Sequence, residues 1–180
     1  MEVCWPAHIR IDESWTKKQS VKEHCRNTAK YASEALESIG LSSCGKLIGL
    51  IHDSGKQTSA FKDYLERASQ GLPVRRGSVN HSSAGLRYLL ERYHTGTDDS
   101  ELLSAELLAY AAGAHHGLFD CQDGQHGSAF DRRADIAEDY PAAMQRFFSD
   151  CISERDFDAL FRSAVGELSP MLLALSALPG

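Results

Sequence analysis

The sequence has few of the features that place a protein in a membrane or hold it together with disulfides. It contains no apolar run of about 18 residues, the length that a membrane-spanning helix requires. Its 5 cysteines are scattered and form no Cys-x-x-Cys pair, which argues against a disulfide framework or a thiolate zinc site. The first residues lack the basic region and apolar run of a signal peptide. We therefore expect a cytoplasmic protein with reduced thiols and no membrane partner.

Positive charge is also scarce. The chain has 19 Lys and Arg residues against 25 Asp and Glu residues, which gives a formal net charge of −6. Its overall charge does not attract nucleic acid, so metal ions or a partner must supply positive charge if it acts on nucleic acid. The 180 residues are 42% hydrophobic and 24% charged, which is typical of one globular domain.

Hydrophobic periodicity predicts helices along most of the chain, and no run has a convincing β-period. The first 19 residues are predicted to be an irregular lead-in, and Gly55 a left-handed helix stop. The predicted helices run from a capping box at Ser20 to Ser38, over 43–54, from Ser59 to Ser69, from Asn80, over 100–115 and, after a loop at 117–139, from Tyr140, Ser153 and Ser169. The predicted fold class is all-α.

The chemistry is concentrated in the stretch Ile51-His52-Asp53-Ser54-Gly55-Lys56. His52 and Asp53 end an apolar run, so they should emerge at the edge of a core. A carboxylate can bridge two cations, whereas a neutral imidazole offers one nitrogen to one cation. An isolated His-Asp pair is more often a helix end that caps backbone groups. Lys56 would bring an ammonium close to the pair, although a lone lysine is more often solvated.

Four more histidines lie near predicted helix ends: His24, His81, His115 and His116. Helix ends in a bundle meet at shared rims, so these side chains can converge with His52 and Asp53 on one cavity. With Asp53 as a bridge, two cations would lie about 3.5–4 Å apart, the spacing used in phosphoester cleavage. Nitrogen and oxygen ligands without cysteine favour Mn, Fe, Co, Ni or Zn over Mg. By sequence alone, His8 is more often a surface residue.

The order of these motifs resembles the HD phosphohydrolase superfamily and, within it, the HD nuclease domain of the type I CRISPR-associated helicase–nuclease. The doubled histidine and the His-Ser-x-Ala-Gly motif are more specific than the His-Asp pair. The matching pieces, from about residue 7 to 120, are Ala7-His8-Ile9, Val21-Lys22-Glu23-His24, His52-Asp53-Ser54-Gly55-Lys56 with Phe61 and Tyr64-Leu65 downstream, Asn80-His81-Ser82-Ser83-Ala84-Gly85 and Ala114-His115-His116-Gly117.

The resemblance implies an HD-domain helical bundle that acts as an endonuclease or exonuclease on single-stranded DNA in CRISPR antiviral defence. It implies two divalent metal ions (Mn, Fe, Co, Ni or Mg) that activate water, with Asp53 and Lys56 as catalytic residues. The implied ligands of one metal are His24, His52 and Asp53, and those of the second are Asp53, His81, His115 and His116. The implied partners are single-stranded DNA, a superfamily 2 helicase region and the CRISPR surveillance complex.

The sequence departs from the family pattern at one ligand. The family closes its first metal site with a later aspartate; Asp150, Asp156 and Asp158 are available, but none stands in a matching motif. We therefore expect residues 1–180 to be a single domain that ends ahead of a helicase region, with an incomplete first site. Two alternatives remain open. One is an HD phosphohydrolase acting on nucleotides or cyclic nucleotides in a closed pocket, and the other is a non-catalytic docking module with a vestigial metal site.

Overall fold

The described part of the chain is a bundle of seven α-helices preceded by a β-hairpin. The structure is a computed structural model, which describes residues 5–12, 15–118, 132 and 139–176. Two short 3-10 segments, Glu37–Ile39 and Ser54–Gln57, follow the first two helices. The helices are α1 (Val21–Leu36), α2 (Ser42–Ile51), α3 (Ser59–Ser69), α4 (Ser83–Tyr93), α5 (Asp99–Gly113), α6 (Tyr140–Asp150) and α7 (Glu154–Ser176). The predicted all-α class is confirmed. Within these ranges, none of the helices combines the length and apolar character needed to cross a bilayer.

The N-terminal residues form a β-hairpin, so the prediction of an irregular lead-in was wrong. Strand β1 (Pro6–Asp12) pairs in antiparallel register with β2 (Trp15–Ser20). Strand β1 alternates the apolar Ala7, Ile9 and Ile11 with polar residues, but over six positions only, and the mostly polar sequence of β2 does not alternate. The amide of Val21 donates to the carbonyl of Trp5 at 2.8 Å, which fastens the start of the hairpin to α1.

Helices α1 and α2 pack backbone against backbone. A Cβ atom on Gly45 would overlap the carbonyl group of Ala32, and one on Gly49 would overlap the backbone of Ala29. Two glycines one turn apart on α2 therefore let the helices approach more closely than larger residues would allow. This close approach brings the first turn of α1 beside the C-terminal end of α2.

The main core lies between α2, α4, α5, α6 and α7. Its largest fully buried side chains are Leu47, Ile51, Leu86, Leu89, Phe147, Phe157 and Phe161. The ring of Tyr93 stacks on that of Phe161, with centroids 3.7 Å apart. These contacts set the relative positions of the helices whose ends carry the candidate site.

The last helix is longer than predicted. Ser169 and Pro170 were expected to begin a separate helix, but α7 continues through Pro170 to Ser176. Proline has no N–H to donate to the carbonyl of Gly166, one turn earlier. Both residues are exposed, so water can bond that carbonyl and the helix tolerates the proline.

Candidate metal centre

The structure brings together the six side chains singled out in the sequence. His24 lies in the first turn of α1, His52 caps the end of α2, and Asp53 precedes the 3-10 segment. His81 precedes α4, and His115 and His116 follow α5. Their nitrogen and oxygen atoms form two groups, each with ligand atoms within 4.8 Å of one another: His24, His52 and Asp53; and Asp53, His81, His115 and His116.

Asp53 belongs to both groups, and each of its carboxylate oxygens faces one of them. Oδ2 lies 2.8 Å from Nε2 of His24 and 3.1 Å from Nε2 of His52. Oδ1 lies 3.6 Å from Nε2 of His81 and 3.4 Å from Nε2 of His115. The side chain of Asp53 is only 3% exposed, so these imidazoles replace most of its contact with water.

Backbone carbonyl groups orient the rings of the inner histidines. Nδ1 of His52 lies 3.0 Å from the carbonyl oxygen of Gly49, and Nδ1 of His115 lies 2.8 Å from that of Ala112. When Nδ1–H donates to these carbonyls, each Nε2 keeps its lone pair and points it toward Asp53. This pattern is typical of metal-binding histidines, whose second nitrogen is held by an outer hydrogen bond.

The arrangement places hydrogen-bond acceptors, whose lone pairs can ligate a metal, against one another, which fits a divalent metal ion. Oδ1 of Asp53 and Nε2 of His115 are buried without a hydrogen-bond partner among the described residues. The Nε2 atoms of His81 and His116 are 2.7 Å apart, and those of His24 and His52 are 3.2 Å apart. Lone pairs at such distances repel unless a proton or a cation lies between them. Imidazole and carboxylate donors suit transition-metal ions.

The electrostatics keep the site in the protonation state that metals require. In the metal-free protein, burial acts to raise the pKa of Asp53, but protonated Nε2 atoms of His115, His24 and His52 that face the carboxylate outweigh burial and hold that pKa well below its usual range. Burial lowers the pKa of His81 to about 4, with Lys56 acting in the same direction and Asp53 opposing. Near neutral pH, Asp53 is therefore anionic and His81 neutral.

Lys56 and Gly55 both lie inside the site. The side chain of Lys56 is 7% exposed, and its Nζ is 2.9 Å from Oδ2 of Asp53, so it is not a solvated surface lysine. Gly55 does not adopt the left-handed conformation that we predicted for it. It is required for another reason, because a Cβ atom there would overlap the backbone carbonyl of His81.

Comparison with known proteins identifies the family. The sequence matches the family described as "Cas3, HD domain" over residues 10–177. The chain belongs to this Cas3 HD family. Comparison with curated proteins found none that matches. Family membership makes the protein a CRISPR-associated HD-type hydrolase, and the His/Asp cluster is compatible with the divalent metals that HD domains bind.

His8, for which the sequence left a place near the site open but favoured the surface, is exposed and is also a neighbour of the Cas3 HD site. Its ring centroid is 4.8 Å from that of His24, in an edge-to-face arrangement. Burial lowers the pKa of His8, and Lys56 and His24 act in the same direction. His8 belongs to neither ligand group. The sequence signal for its place beside the site was the Ala7-His8-Ile9 piece of the family resemblance.

None of the three candidate aspartates joins the ligand groups of this Cas3 HD domain. Oδ2 of Asp150 accepts a hydrogen bond from Nε2 of Gln57 at 3.0 Å. Asp158 accepts from the hydroxyl of Tyr93 at 2.6 Å and from Arg92 at 3.0 Å, which ties α7 to α4. Asp156 lies exposed in the first turn of α7. The predicted loop over 117–139 lies mostly outside the described residues.

Proposed function

We propose that this Cas3 HD domain is a metal-dependent nuclease that hydrolyses phosphodiester bonds of single-stranded DNA. The proposal rests on the position of the Asp53 carboxylate between the two ligand groups. Its Oδ2 faces His24 and His52, and its Oδ1 faces His81 and His115. This geometry supports two ions, one for each group, with Asp53 between them. Two-metal sites are common in enzymes that cleave phosphodiesters.

Bound divalent ions in such a site lower the pKa of water and neutralise charge on phosphate oxygens. The residues of the chain hold and orient the reacting groups. In the metal-free protein, the N–H groups of His115, His24 and His52 that face Asp53 hold the pKa of Asp53 low, so its carboxylate is ionised before metal binds. Lys56 donates to Asp53 at 2.9 Å and places positive charge where phosphate oxygens would approach.

The choice of metal follows from the donor set. The two groups contain five imidazoles and one carboxylate, which favours Mn, Fe, Co or Ni over Mg. The group with His24 and His52 has three protein ligands among the described residues, and the group with His81 has four. We therefore expect weaker binding at the first group.

The exposure of the site supports a polymeric substrate. The side chain of Asp53 is 3% exposed and that of His24 is 21% exposed, while His116 lies exposed at the outer edge of the second group. A cleft of about 420 Å³ lined by Arg26, Leu50 and their neighbours contains none of the six residues. Among the described residues, the rise in exposure from Asp53 to His116 suits a strand lying across the outer edge of the site better than a nucleotide in an enclosed pocket.

The net charge of −6 supports a role for partners in delivering the strand. We propose that these are a superfamily 2 helicase region and a CRISPR surveillance complex in the cytoplasm. Each would supply the binding contacts with nucleic acid that a chain with net negative charge does not favour.

Cleavage assays on the purified chain test the nuclease proposal. The protein is stripped with a chelator, reloaded with Mn, Co, Ni or Mg, and offered labelled single-stranded DNA, duplex DNA and cyclic dinucleotides, with Asp53→Ala as the inactive control. We expect metal-dependent cleavage of the single strand. Hydrolysis of the cyclic dinucleotide with intact DNA would favour the nucleotide enzyme. Absence of any bound metal would favour the docking module.

A further inference from the structure

Two cationic side chains lie over the ring of Trp5, the residue just before β1. The guanidinium carbon of Arg146, on α6, lies 4.5 Å from the ring centroid of Trp5. The Nζ atom of Lys62, on α3, lies 5.7 Å from the same centroid. All three side chains are half-buried, so the ring restricts the motion of both cations.

This cation pair borders the candidate metal centre. Nη1 of Arg146 donates to the carbonyl of Gln57 at 2.7 Å, and Gln57 directly follows Lys56. Trp5 is three residues before His8, a separation of about 10 Å along an extended strand. The ring of His8 in turn lies 4.8 Å from that of His24. The pair therefore lies to the side of the group formed by His24, His52 and Asp53.

The two cations lack acidic partners. Among the residues that the structure describes, neither Lys62 nor Arg146 lies within ion-pair distance of a carboxylate. Asp150, one turn further along α6, accepts its hydrogen bond from Gln57 instead. In a chain with a net charge of −6, two half-buried cations without carboxylates indicate a place for an external anion.

We propose that Lys62 and Arg146 bind backbone phosphates of the DNA strand beside the His24 group and so fix the path of the strand into the site. This inference rests on the proposed function. A planar guanidinium can bind a phosphate with two parallel hydrogen bonds, and the ammonium of Lys62 adds a second charge. Because Trp5 already orders both side chains, little conformational entropy remains to be lost on binding. Both are positioning residues rather than catalytic residues.

Salt-dependent binding distinguishes a phosphate contact from a purely structural one. Binding of a fluorescein-labelled oligothymidylate is measured by anisotropy over a series of KCl concentrations, with a chelator present so that the strand is not cut. Lys62→Met and Arg146→Met keep an apolar stem against Trp5 but remove the charge. Each should reduce the slope of log K against log salt by about 0.7, and the double variant should bind roughly tenfold more weakly.

Charge-conserving variants provide the decisive controls. Lys62→Arg and Arg146→Lys should restore most of the salt slope, whereas Lys46→Met, an exposed lysine on α2, should leave it unchanged. Unchanged slopes in the charge-removing variants would overturn the proposal, even if their melting temperatures fall, because the pair would then only fasten the hairpin.

A small activated phosphodiester, bis(p-nitrophenyl) phosphate, separates this proposal from the proposed function. In the otherwise wild-type chain, the charge-removing variants should hydrolyse it at the normal rate while their KM for oligonucleotide rises. If that small substrate is lost as well, the pair acts through the metal centre and the proposal fails. If the wild-type chain neither binds nor cleaves single-stranded DNA, the proposed function itself fails and this inference fails with it.

Discussion

The backbone of Gly55 lies directly against the backbone carbonyl of His81. There is no room between them for a Cβ atom. The contact joins the 3-10 segment that follows Asp53 to the residues that lead into α4. The separation between Asp53 and His81, and therefore the shape of the second ligand group, depends on the absence of a side chain at Gly55.

Replacing Gly55 with alanine should displace His81. The methyl group would overlap the His81 carbonyl, and we expect a loss of about 1–3 kcal/mol in stability, as in other overpacked sites. Metal affinity should fall because one ligand moves. Calorimetric titration with Mn and thermal unfolding measure the two effects. Gly166→Ala is the matched control, because nothing lies within 4 Å of a Cβ atom there. Equal metal affinity in both variants would contradict the role of the contact.

Replacing Asp53 with alanine should remove both metal sites at once. Asp53 is the residue shared by the two ligand groups, so metal affinity should fall by more than the roughly 10- to 100-fold typical of losing an outer hydrogen bond. Cleavage should be abolished while helix content measured by circular dichroism stays nearly intact. Retained cleavage would count heavily against the proposed nuclease.

Replacing Asp158 with alanine should lower stability without changing metal binding, which is the opposite of the result expected for Asp53. The Asp158 carboxylate bonds Tyr93 and Arg92, far along α4 from His81. Asp158→Ala should cost about 1–3 kcal/mol of stability by leaving the Tyr93 hydroxyl without its acceptor. Metal content per folded molecule, measured by atomic emission, should not change. A loss of bound metal would mean that Asp158 supports the site after all.

Replacing Lys56 with methionine should separate metal binding from turnover. Methionine keeps most of the buried volume but removes the ammonium that lies 2.9 Å from Asp53. If Lys56 stabilises charge on the phosphate, turnover should fall on the order of 100-fold while both metals still bind. Lys56→Arg should recover part of the activity. Normal turnover in Lys56→Met would remove the residue from the proposed catalytic set.

Metal removal should lower the melting temperature. An ion that binds only the folded state at about 100 times its dissociation constant contributes about 2.7 kcal/mol. For a chain of this length, that corresponds to roughly 5–10 °C. Thermal scans with and without chelator measure the shift, and the Asp53→Ala variant should show almost none. An equal shift in both proteins would place the stabilising ion elsewhere.

Acid should destabilise the metal-free protein over a range set by His81. Its pKa in the folded protein is about 4, against 6.5 for an unperturbed histidine. Below pH 6.5 the unfolded chain takes up a proton that the folded chain does not, so stability falls with pH until about pH 4. The difference corresponds to about 3 kcal/mol. Urea unfolding of chelated protein at several pH values measures this loss. A His81→Gln variant with the same pH dependence would contradict it.

Local signals in the sequence predicted most of the helical framework. The Ser20 hydroxyl accepts from the Glu23 amide at 3.1 Å, as the capping box predicted, and Gly40 adopts the left-handed conformation at the end of the following 3-10 segment. The hairpin was missed because the alternation of β1 is short and the mostly polar strand β2 has none. Pro170 misled the prediction because the solvent-facing side of a helix can tolerate a missing hydrogen bond.

The gathering of six side chains could be anticipated from helix ends, and the family resemblance implied the same two groups, but the distances within the site could not be anticipated. Whether Oδ1 or Oδ2 of Asp53 faces a given histidine depends on tertiary packing, including the close approach of α1 and α2 at Gly45 and Gly49. His8 is exposed, as the sequence favoured, but its position beside His24 could not be derived because its strand was not recognised. The role of Gly55 was misassigned because a close contact with His81, 26 positions later, leaves no local signal in the sequence.

The candidate ligands are drawn from four separate stretches of chain, between His24 and His116. No short peptide cut from the protein could reproduce this coordination, because α1, α2, α4 and α5 must all be docked before the donors meet. Cobalt substituted into the site should therefore make the visible absorption of the solution a reporter of the assembled tertiary structure. This absorption should be lost together with global unfolding, and not when the end of a single helix frays.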